Sequence, residues 1–264
     1  MLVTLSQKPK KPLYTKAKNL FQNSPINSSQ VKNVTIQTNR TLGGVGACLT
    51  LVGIVSTVLS IIQYAYPALS LSLVILGVSV VVIAFAGFIL FFIAMYGFSR
   101  DYGEHKIFNY VLYGLIGTIV SAIVVGVVWF VYIIFNVFIV TRSLNPLPNT
   151  SSQIQSLLMP YYAPFIVGFS IVGLVWVIFN YKAYNLLADK TGVYLFKRAA
   201  KIFVIGALVN IVAGVAFTVL ALNFSIGFTT IALMVLPGGL VQYIAWVLVA
   251  MAFFRIKPSQ TQIV

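Results

Sequence analysis

Charge and titratable chemistry are what this sequence has least of. Of its 264 residues only 8% are charged, three are acidic, one is histidine and one is cysteine. The lone Cys48 excludes an intrachain disulfide and a thiolate-held metal cluster. Three acids and one histidine are a very small inventory for acid–base catalysis or a metal centre, which require several titratable groups to converge. The sequence therefore reads as non-enzymatic, with no catalytic residue, cofactor or metal ligand to nominate. The same shortage excludes a soluble domain. Soluble chains are roughly 25% charged and about half apolar, whereas this one is 60% hydrophobic and cannot clothe itself in polar side chains.

What the sequence does have is uninterrupted apolar length. A helix needs about 20 apolar residues to cross the roughly 30 Å hydrocarbon core of a bilayer. Six uncharged runs reach it: 42–64, 69–98, 107–140, 161–180, 202–222 and 228–254. The expected fold is all-α, a polytopic membrane protein with a six-helix transmembrane bundle over 42–254. A flexible basic arm, 1–41, precedes it and a short tail, 255–264, follows. The first run begins too far along the chain for a cleaved leader, so it is expected to be a retained span.

The basic residues are distributed with a strong bias. Six spans place Lys8, Lys10, Lys11, Lys16, Lys18, Lys32 and Arg40 on one side with Arg100, Lys106, Lys182, Lys190, Lys197, Arg198, Lys201, Arg255 and Lys257. Only Arg142 is left opposite. Asp101, Glu104 and Asp189 join the majority, so sixteen bases less three acids give that side +13. Loops rich in Lys and Arg stay in the cytoplasm. Both termini are thus expected to be cytoplasmic, in a multi-pass protein of the cell membrane. Five or seven spans would scatter basic groups over both faces.

Within the runs no Asp, Glu, Lys, Arg or His occupies a central turn, which disfavours a proton-coupled pump. Asn210 is the deepest amide, suited to bonding between helices. Pro237, Gly238 and Gly239 form a candidate helix break, a feature either of transport sites or of ordinary membrane helices. The third run would reach about 51 Å as a helix, so it tilts or projects beyond the outer boundary. Small residues four apart, such as Gly114 with Thr118, and the Gly43-Gly44-Val45-Gly46 stretch allow close helix approach. A sparse repeat at an offset of 89 matches Gly103 with Gly192 and Gly117 with Gly206, as a parallel duplication of a helix hairpin.

Outside the runs, His105 lies beside two acids in 100–106; a solvated turn and a metal or proton relay are the two readings. Lys8, Lys10, Lys11, Lys197, Arg198 and Lys201 are candidate contacts for phosphate, on lipid headgroups or on nucleic acid. Asn149 heads an acceptor pattern for N-glycosylation in the outer segment 141–160.

Three motifs carry a family resemblance: Thr41-Leu42-Gly43-Gly44-Val45-Gly46-Ala47, Tyr102-Gly103-Glu104-His105-Lys106-Ile107-Phe108, and Thr191-Gly192-Val193-Tyr194-Leu195-Phe196 followed by Ile205-Gly206-Ala207. With these the chain resembles an archaeal family of uncharacterised integral membrane proteins, domain of unknown function 996, over about 41–257. The resemblance implies a multi-span helical protein and supplies no catalytic residues; the basic arm and 141–160 stand out as additions to it. Two functions are carried forward. One is a channel or translocation component whose electropositive cytoplasmic face gathers DNA or another macromolecule. The other is a structural or assembly subunit of a larger membrane complex, with membrane lipids and further subunits, or copies of itself, as partners.

Overall fold

The structure is a computed structural model that describes residues 28–65, 70–143, 151–223 and 228–257. Every element among them is helical: α1 (Ser28–Leu51), α2 (Gly53–Ala65), α3 (Ser70–Asp101), α4 (Lys106–Ser143), α5 (Ser151–Thr191), α6 (Leu195–Asn223) and α7 (Phe228–Arg255). Helices are what such a sequence must form, because lipid offers backbone N–H and C=O groups no partner and a helix satisfies them internally. Hydroxyls inside the helices are absorbed in the same way. Thr118 donates to the Gly114 carbonyl at 2.7 Å, Ser170 to Ile166 at 2.8 Å and Thr218 to Gly214 at 2.9 Å.

Five stretches are long and apolar enough to cross a membrane: Leu71–Asp101, Lys106–Phe135, Phe165–Thr191, Leu195–Leu220 and Leu236–Arg255. The protein is a polytopic bundle of membrane helices. The expected first span, 42–64, is divided between α1 and α2. At the junction the bonding tightens to three residues, Val52 donating to Leu49 and Val55 to Val52. Thr50 also bonds back to the Gly46 carbonyl at 2.9 Å, a contact that bends helices.

Three sequence boundaries are corrected. α1 starts by Ser28, so the last third of the presumed arm is helix, and Ile36 within it is buried in the core. The presumed loop 181–201 is helical apart from 192–194. The candidate break at Pro237-Gly238-Gly239 is absent, since α7 runs unbroken through it. Proline costs α7 one backbone bond, but Gly238 serves contact instead: it is buried against Asn210 of α6, leaving no room for a side chain.

The helices are arranged as a closed circuit. α1 packs along α3 and α7, α7 on α6, α6 on α5, α5 on α4, and α4 returns to α3, while α2 lies against α3. Inside it sit two fused rings of aromatic contacts. Phe91 meets Trp246 at 5.3 Å, Trp246 meets Phe203 at 5.5 Å, Phe203 meets Tyr184 at 6.0 Å, and Tyr184 meets Phe91 at 6.3 Å. The second ring shares the Phe91–Tyr184 edge and closes through Phe196 and Phe253, which meet at 5.1 Å. Phe91, Tyr184, Phe196 and Phe253 are wholly or almost wholly buried. The rings tie α3, α5, α6 and α7 together across the axis.

At the α1–α3 crossing Gly46 faces Gly87. A Cβ on Gly46 would sit 2.5 Å from the Phe91 backbone nitrogen and 2.7 Å from the Gly87 oxygen, neither of which can swing aside. Gly46→Ala is therefore expected to destabilise the bundle by about 1–3 kcal/mol, read as a lower melting midpoint in detergent. Gly77→Ala, with open space around it, should leave the midpoint unchanged or slightly raised.

Candidate functional site at the charged end

The titratable groups gather where the α3–α4 and α5–α6 connections meet the start of α1 and the end of α7. Both connections depend on glycine. Gly103 and Gly192 are the only described residues at positive φ, at 65° and 72°, where a side chain would be strained. After α3 the Glu104 amide donates to Ser99 and the Gly103 amide to Arg100, the paired bonds of a Schellman end. After α5 a single bond from the Gly192 amide to Ala188, 2.8 Å, does the same work.

These tight turns hold α3 to α4 and α5 to α6 as adjacent hairpins, and polar contacts join the ends of the bundle. Glu104 pairs with Lys190 at 3.3 Å, from one connection to the other. The Asn39 amide, buried over Gly97, donates to the Asp101 carboxylate at 2.7 Å. Arg40 donates to the Ile256 carbonyl just past α7 at 3.1 Å, a cation placed where the helix dipole is negative. Tyr102 is half-buried beside Asp101; first its burial and then that carboxylate push its hydroxyl above the usual tyrosine range.

This end carries eleven described basic side chains and all three acids, and eleven less three leaves +8. The acids are each engaged: Asp101 by Asn39, Glu104 by Lys190, Asp189 by Lys197 at 2.6 Å. Lys197, one of the candidate phosphate contacts, is thus occupied by a carboxylate. Arg198 lies over the Tyr194 ring at 5.4 Å and lines a groove of about 350 Å³ with Arg255, which the sequence reading did not single out. Lys201 is exposed one turn further along α6. Lys8, Lys10, Lys11 and Asn149 lie outside the described residues. Among the described residues no three His, Cys, Asp or Glu side chains come together as a metal site.

A family model described as "Protein of unknown function (DUF996)" matches residues 83–221, 139 of 264 and thus more than half of the chain. The chain belongs to this family. The DUF996 region is narrower than the motifs suggested: it holds both glycine turns and the Ile205-Gly206-Ala207 motif, omits the glycine-rich stretch at 41–47, and runs through 141–160. No curated protein and no solved structure matches the chain. In DUF996 terms the matched region is the two hairpins α3–α4 and α5–α6, lacking only the first turns of α3 and the last residues of α6, with α1 and α7 packed against them from outside the match.

The Asn39–Asp101 bond links α1 to this region. In a double-mutant cycle with Asn39→Ala and Asp101→Ala, read by unfolding in detergent, a coupling of about 1–2 kcal/mol is expected for a partly buried hydrogen bond to a charged group. A coupling near zero would mean that α1 is held by its apolar contacts alone.

Proposed function

We propose that this DUF996 protein is a non-enzymatic structural or assembly subunit of a larger complex in the cell membrane, built on six spans with both termini in the cytoplasm. One observation carries the reading: the two fused aromatic rings fill the axis of the bundle. A conduit needs a wetted path lined by groups that replace water. Here the hydroxyls of Thr118, Ser170 and Thr218 are bonded to their own helices, and the axis at the level of Phe91 and Tyr184 is aromatic carbon. The described residues therefore favour the assembly reading over a channel or translocation path through a single chain, and a passage between copies is the form in which that alternative fits them.

The outer faces favour partners. From 118 to 135 α4 buries no residue within the chain, and from 71 to 79 neither does α3. Lipid or neighbouring subunits must cover these apolar sides. For the orientation, the support is the clustering of basic side chains at one end together with the positive-inside bias; α1 and α2 then make up the sixth, divided crossing.

Two measurements test this. Reconstituted into liposomes, the full chain is expected to give no ion or small-solute flux above protein-free vesicles; a reproducible conductance would overturn the reading. In a variant lacking Cys48, a cysteine introduced at the exposed His105 or Tyr194 should react with an impermeant reagent only from the cytoplasmic side, and one at Asn149 only from outside. Reaction at all three from one side would overturn the six-span orientation.

A further inference from the structure

The groove at the α5–α6 turn is formed by Gly192, Val193, Tyr194 and Leu195, with Arg198 of α6 and Arg255 at the end of α7. Among the described residues neither guanidinium group is paired with a carboxylate. The chain has three acids, each held by another partner, and no ion pair among the described residues involves Arg198 or Arg255. Both arginines stand at the ends of membrane-crossing stretches, Leu195–Leu220 and Leu236–Arg255, the level at which a bilayer presents its headgroups. α6 adds a smaller attraction. Its bonding begins with the Phe196 amide donating to Val193, so the amides of Tyr194 and Leu195 find no acceptor within the helix. Tyr194 is half-exposed, with an apolar ring and polar tip suited to the interface.

We propose that this groove holds the phosphate of an anionic phospholipid headgroup, clasped between Arg198 and Arg255. A planar guanidinium matches phosphate oxygens two at a time, and two of them across a groove of about 350 Å³ leave room for one headgroup. Basic pockets between membrane helices on the cytoplasmic side recognise such lipids by the same chemistry. A DNA backbone would need a row of phosphate contacts; this groove offers one position, set low beside the acyl region. Lys197 is excluded from the clasp by Asp189. The proposal deepens the lipid side of the function proposed above, because the bound headgroup would pin the α6–α7 edge of the subunit to the membrane.

The test uses the full chain in detergent, with bound lipid counted by native mass spectrometry against equimolar phosphatidylglycerol and phosphatidylcholine. Two arginines near an anionic surface predict a preference for phosphatidylglycerol of roughly 30-fold. Arg198→Gln with Arg255→Gln should bring it close to parity while leaving the melting midpoint in place, since both side chains are exposed. The charge-matched control, Arg100→Ala with Lys106→Ala, should retain it. Equal loss in the two double variants would overturn the site in favour of diffuse surface attraction. If inorganic phosphate alone raises the melting midpoint as much as phosphatidylglycerol does, the groove is a soluble-anion site and the lipid assignment fails. Lipid preference does not depend on flux: a conducting protein that keeps the preference would sink only the assembly reading, and a non-conducting one without it only this proposal.

Discussion

The Phe91–Tyr184 contact is the edge that both aromatic rings share, and the described bundle depends on it. Membrane helices gain nothing from hiding apolar surface from lipid that is equally apolar, so something else must decide which helices touch. Edge-to-face aromatic pairs supply direction as well as dispersion. Phe91 meets Tyr184, Trp246 and Phe253 edge-on, at interplanar angles of 69°, 80° and 77°. One side chain of α3 thereby fixes the positions of α5 and α7. The circuit then closes around it through glycine contacts: Gly46 on Gly87 between α1 and α3, Gly206 and Gly238 between α6 and α7.

Much of this was legible in the sequence, for definable reasons. Apolar length and charge placement report the environment directly, so the membrane helices and the charged end follow from them. The aromatic rings were missed, although they left a trace. Phe91 and Phe98, Phe196 and Phe203, Trp246 and Phe253 are each seven residues apart, two turns along one face of a helix. On a chain with 20 Phe and 14 Tyr the trace is hard to separate from lipid-facing aromatics at the same spacing. Only the packing distinguishes Phe91, which is buried, from Phe85, which is exposed.

The boundaries failed for a different reason. A span read from hydropathy ends at the first charge, but a helix ends where its backbone bonding ends. Lys182, Asp189 and Lys190 sit in helical turns of α5 beyond the apolar stretch, and α5 stops only at the Gly192 turn. Pro237 misled in the opposite sense. Its lost bond is local, and α7 continues through it, while Gly238 and Gly206 allow α6 and α7 to meet closely there.

The offset of 89 turns out to relate burial as well as glycine. Ala94 and Ala183, Met95 and Tyr184, Phe98 and Leu187, Ile107 and Phe196, and Val111 and Ala200 are matched pairs, and every member is buried. Two hairpins with equivalent turns at Gly103 and Gly192 thus present equivalent inner faces, as a duplicated scaffold would. Their outer chemistry differs. The positions matching Lys197, Arg198 and Lys201 are Phe108, Asn109 and Leu112, so the first turn of α4 lacks the basic side chains that the first turn of α6 carries. Packing constrains both hairpins alike and cannot account for that difference. Arg100 and Lys106 flank the α3–α4 turn, but only the α5–α6 turn sets a guanidinium, Arg198, into a groove shared with Arg255, and that marks it as the place where the two halves of the scaffold diverged in what they touch outside the chain.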